Sequence, residues 1–112
     1  MEKVTQINEY HIKQFTYLLD KLKATKDGDG TLLDHSMIVY GSGLADGSGH
    51  RHENLPTVLA GRGAGTLQPG RHIRFADETP ITNLHVSMLE RMGVAVDTFG
   101  DSNGKLEGLS AL

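Results

Sequence analysis

The residues with the greatest chemical capacity lie together in GSGLADGSGHRHENLP, residues 41–56. Asp46 offers a carboxylate, and His50 and His52 offer imidazoles. These donor types suit zinc, iron or manganese, and the interleaved glycines let the backbone bend them toward one point. Glu53 and Asn54 add oxygen donors for an outer or additional ligand position. The same composition also suits a solvated connection, and an H-x-H pair in a loop often binds nothing. Both readings stay open on spacing alone.

Other candidates are weaker. His11 and His85 fall on the inner stripes of predicted helices, where each fits a core histidine with one hydrogen-bond partner or a residue facing the sheet beside the loop. His35 precedes a predicted strand and His72 lies in a basic turn. GRGAG, residues 61–65, lacks the G-x-G-x-x-G and G-K-[ST] spacings of phosphate loops and reads as a turn. DGDGTLLD, residues 27–34, opens like an EF-hand loop, but the twelfth position is Ile38, where a bidentate Glu is needed. Ser36, Ser42 and Ser48 sit in no G-x-S-x-G elbow. The catalytic residues of any reaction are therefore unassigned, and the isolated chain is expected to be inactive.

Elements of regular structure must position the 41–56 loop. Ile12, Phe15, Leu19 and Leu22 recur at helical spacing and predict an amphipathic helix from Thr5 to Ala24, stopped by KDGDGT. SMIVYG, residues 36–41, and TVLAG, residues 57–61, are short apolar runs that predict strands buried on both faces. HIRFA, residues 72–76, and Val94 to Val96 are further strand candidates. Thr79 and Pro80 predict an N-cap and first turn for a helix ending at Gly93, carrying Ile81, Leu84, Met88, Leu89 and Met92 on one side. The loop then follows directly on a strand, where open α/β sheets place their ligands. The expected fold is α/β, a partial three-layer sheet with flanking helices.

At 112 residues the chain is expected to be a single domain, 1–112, and a fragment of a larger α/β domain. Two or three strands and two helices cannot cover both faces of such a sheet, so the missing part of a parent fold or a homo-oligomer is the expected partner. The net charge of −3, with Lys and Arg scattered, disfavours nucleic acid. No apolar run approaches the roughly 20 residues of a membrane span, so membrane insertion is not expected. With no cysteine, any metal must take His, carboxylate or carbonyl ligands.

The segments QINEYHIKQFTYLLDKLKATKDGDGTLLDHSMIVYGSGLADGSGHRHENLPTVLAGRGAGTLQPGRHIR, TPITNLHVSMLERMGV and FGDSNGKLEGL together resemble the C-terminal part of the bacterial family called domain of unknown function 1552. Members of that family are several times longer and look exported. The resemblance implies a periplasmic or cell-surface parent of which this chain is the last portion. The family is in turn similar to the alkaline phosphatase and sulfatase superfamily, three-layer α/β proteins that hydrolyse phosphate or sulfate esters with bound metal. Residues 36–46, Leu55 to Ala60, and Thr79 to Gly93 follow that superfamily's order of strand, ligand loop, strand and helix. The resemblance implies that Asp46, His50 and His52 contribute to a divalent metal site (zinc, manganese, iron or calcium), with Glu53, Asn54, His11 and His85 around it. The nucleophile and remaining ligands would come from earlier segments. Asp46 is followed by Gly47 where the superfamily's motif has His, a departure that favours the alternative of a non-catalytic binding or assembly module on the same fold.

Overall fold

The computed structural model describes residues 2–110 as a small mixed α/β domain with two helices and two small antiparallel sheets. Helix α1, Glu2–Ala24, contains no Gly or Pro and starts three residues before the expected Thr5. Its 23 residues extend for about 34 Å. None of them is buried. The helix ends where Thr25 turns back, its hydroxyl donating to Lys21 O at 2.8 Å. The Gly28–Asp29 turn then closes a short hairpin of β1, Lys26–Asp27, and β2, Gly30–Thr31, with Gly28 at φ 58°.

Strand β3, Ile38–Gly41, pairs antiparallel with β4, Thr57–Ala60, in the register Ile38↔Ala60 through Gly41↔Thr57. Directly opposed residues share a face of a pleated sheet. On one face Tyr40 stacks on Phe15 of α1, with ring centroids 4.8 Å apart. On the other, Leu59 packs against a core of Leu67, Leu84 and Leu109, joined by Met37, Met88 and Leu106. The reading of both strands as fully buried is corrected: Val39 is 36% and Val58 47% exposed. Among the described residues each of these strands pairs only with the other, so no third strand borders the sheet at either edge.

Helix α2, Thr82–Arg91, is shorter than the expected 79–93. Thr79 does not cap it: the N-cap position falls on Ile81, which offers no side-chain oxygen, and the Thr79 hydroxyl donates back to Ala76 O at 2.7 Å. The chain instead enters through tight turns, with Asn83 N–H on Pro80 O and Leu84 N–H on Ile81 O, both at 3.0 Å. Gly93, at φ 80°, lets the backbone leave the helix as expected. Residues 72–76 and 94–96 form no strand.

Three further contacts give the core its shape. Gly61 sits at φ 97°, and a Cβ there would lie 2.1 Å from Ser36 O, so only glycine lets β4 exit against the segment before β3. On the far side of α2, the buried Ser87 hydroxyl donates to Leu106 O at 3.0 Å and accepts from Leu106 N–H at 2.8 Å. Buried Asn83 forms a reciprocal pair with Asn103, donating to Asn103 Oδ1 at 2.9 Å and accepting Asn103 N–H at 3.0 Å. These polar contacts hold residues 103–106 along α2 and carry Leu109 into the core. Among the described residues, no helix is long and apolar enough to cross a membrane.

Candidate functional site

The loop between β3 and β4 is folded rather than loose. Ala45 N–H donates to Arg51 O at 2.8 Å and Arg51 N–H to Asp46 O at 3.1 Å, so Asp46 and Arg51 face each other in a narrow antiparallel bridge. Asp46 Oδ1 accepts Ser48 N–H at 3.0 Å, an Asx-turn that uses one carboxylate oxygen locally. His50 and Asn54 both occupy the left-handed region, at φ 49° and 55°. Half-buried Leu44 and Leu55 anchor the two ends, while Asp46, His50, His52, Glu53 and Asn54 are all exposed.

His52 has a defined orientation. Its Nδ1 lies 3.0 Å from Gly43 O. A carbonyl oxygen only accepts, so Nδ1 carries the proton and a neutral ring keeps its lone pair on Nε2. That pattern is also used by histidines that bind metals. The donors therefore fit a metal in type. In placement they do not: among the described residues, no group of three His, Asp or Glu side chains is gathered closely enough to hold an ion.

The two outlying histidines have separate aromatic partners. His11 is exposed on α1 beside Tyr10, with ring centroids 6.1 Å apart, and does not point into the sheet. His85 is half-buried on α2 and packs edge-on against Phe99 at 5.8 Å.

A second polar cluster surrounds His35, which the sequence offered only as a weak candidate. Its Nδ1 lies 2.7 Å from Asp27 Oδ2 and its Nε2 3.4 Å from Asp29 Oδ1. Asp34 Oδ2 accepts both the Thr31 hydroxyl at 2.9 Å and the Thr31 N–H at 3.0 Å, bonds that hold its carboxyl below the usual range. The available signal was the alternation of acid and glycine in DGDG, which folds the chain back on itself and brings two carboxylates to the following histidine.

A hollow of about 340 Å³ beside α2 is lined by Ser87, Glu90, Arg91 and Lys105 among others. Three of its charged groups already have partners. Arg91 donates to Ser87 O, Thr66 O and Ser110 Oγ, and Lys105 pairs with Glu90. No family model matches this chain, and neither a curated protein nor a solved structure is significantly similar to it.

Proposed function

We propose that the chain is an assembly module of a larger α/β fold. It seats against the remainder of that fold through α1 and the open side of the β3–β4 sheet, with the 42–56 loop at the end of the seam. The observation that carries this reading is surface area. The chain exposes 8494 Å², against about 6,000 Å² for a compact protein of its mass. The excess, on the order of 2,500 Å², falls in the range of permanent interfaces rather than transient ones. Its radius of gyration of 15.5 Å likewise exceeds the roughly 13 Å of a compact domain near this size.

The location of that surface supports the choice of occupant. Val4, Ile7, Tyr10, Tyr17 and Leu18 of α1 are 45–61% exposed, although the helix is amphipathic and already touches the sheet through Phe15. A two-stranded sheet is marginal in water by itself, and this one has helices on both faces but, among the described residues, no neighbouring strand at either edge. Additional strands from a parent α/β body would complete a three-layer arrangement, in line with the resemblance to alkaline phosphatase-like proteins. Deprived of that body, the isolated chain should bind a dye specific for apolar surface. Replacing Ile7 and Leu18 by Lys should remove most of that binding without lowering the melting temperature, since neither side chain is buried. A wild-type chain that takes up no dye would refute the reading.

A second reading rests on His52. The Nδ1 contact to Gly43 O supports a ring preset to offer Nε2 to a metal, with Asp46 and His50 close by in the same bridged turn. The parent body would have to draw these donors together and supply the remaining ligands, and any ester hydrolysis would belong to the assembled protein. The test is the change in melting temperature on adding zinc or manganese. A shift lost when His50 and His52 are both changed to Ala supports the reading, and the absence of any shift counts against it.

A further inference from the structure

Helix α1 is fastened to the rest of the chain at its C-terminal end. Leu32 N–H donates to Thr25 O at 3.0 Å and Leu33 N–H to Leu22 O at 3.3 Å. The β1–β2 hairpin lies between these partners, and His35 closes across it. Nδ1 meets the carboxylate of Asp27 on β1 at 2.7 Å, and Nε2 faces Asp29 at the hairpin tip at 3.4 Å. The His35 backbone N–H donates to Thr31 O on β2 at 3.3 Å.

A carboxylate can only accept. With one at each ring nitrogen, only the imidazolium donates to both, whereas a neutral ring turns a lone pair toward one of them. Gly30 backs the ring closely, since a Cβ there would lie 3.1 Å from Asp34 Oδ2 and 3.4 Å from His35 Nε2, while the Asp29 side chain stands out in solvent. We propose that His35 is a pH-sensitive latch on α1: as an imidazolium it binds the hairpin to the segment before β3, and on losing its proton it releases Asp29 and loosens the helix anchor.

The charged groups around the ring are Asp27 from β1, Asp29 from the turn and Asp34 from the adjoining segment. Arg62, after β4, faces Asp34 with Nε at 3.5 Å and offsets part of that negative charge. The Asp27 hydrogen bond is the main cause that holds the His35 pKa above its ordinary value, with Asp29 and Asp34 adding to it and desolvation opposing. Because the folded-state pKa is raised, the latch contributes fully below the unfolded value near 6.5 and is lost as pH rises through the folded value. This device is independent of what α1 docks against.

The test is amide hydrogen exchange on the full chain, read at Leu32 and Leu33 and corrected for intrinsic rates. Between about pH 6 and about pH 8.5 their opening should increase roughly two- to fivefold, the scale of a part-exposed ion pair. The Leu106 amide, bonded to α2 on the other side of the sheet, should show no such change. His35→Gln should flatten the pH dependence. Asp29→Asn, which keeps the ring and removes one charge, should shrink it. Opening at Leu32 and Leu33 that stays constant with pH in the wild type, or increases equally in both variants, would overturn the latch.

Discussion

Ser87→Ala deletes one oxygen from the buried face of α2, and the structure sets the size of the effect. Ser87 is 1% exposed, and its hydroxyl makes two hydrogen bonds to the Leu106 backbone. Their losses are unequal. Leu106 N–H retains a second acceptor in Asn83 O at 3.1 Å, whereas Leu106 O loses its donor. The cavity left by one hydroxyl is small, so the cost is that of one unpaired carbonyl plus the net worth of the bonds removed, about 1–3 kcal/mol. For a chain of this length that corresponds to a fall in melting temperature of roughly 4–12 °C. Far-UV circular dichroism melts of the wild type and variant, with Ser48→Ala in the exposed loop as a control, measure it. A Ser87→Ala midpoint within about 1 °C of the wild type would refute the argument that residues 103–106 are held through α2.

Gly61→Ala should destabilise the chain by roughly 1–3 kcal/mol from the positive φ alone, with the clash against Ser36 O adding to it; urea denaturation reads the change. Asp34→Asn should weaken the Thr31 contacts most near neutral pH. Because the carboxyl pKa is lowered in the folded state, its contribution is present above the unfolded value near 4 and lost as pH falls through the folded value. The gap between wild type and variant should therefore close in acid, as pH-dependent melts would show. Zinc should raise the melting temperature of the wild type but not of the chain with both His50→Ala and His52→Ala, if the 42–56 loop binds metal.

The helices were legible because their signals are local: Phe15, Leu19 and Leu22 repeat at helical spacing, and Gly93 stops α2. The strands at 38–41 and 57–60 were legible as apolar runs, but their exposure was not. Burial depends on what the rest of a fold places against a strand, and a pattern such as MIVYG reads the same in a complete sheet and an incomplete one. The start of α2 was misplaced because capping requires the Thr79 oxygen to accept a backbone N–H of the first turn, and the tight turns at Pro80 and Ile81 delay the helix to Thr82. Asp46, His50 and His52 share one loop because 42–56 joins neighbouring strands. Sequence spacing carried no information on the Asp46–Arg51 bridge or on the ring orientation of His52. The His35 cluster escaped notice because it needs a two-residue turn to bring Asp27 and Asp29 back to a residue several positions later.

The central claim is that this chain carries the docking surface of a larger α/β body, and the direct measurement is sedimentation velocity over a wide concentration range. The wild-type chain should associate as concentration rises, because α1 and the open sheet have only other copies to cover them. Ile7→Lys with Leu18→Lys should shift the chain to monomer while leaving its melting temperature nearly unchanged. A wild-type chain that stays monodisperse and monomeric at high concentration, and melts cooperatively, would contradict the account.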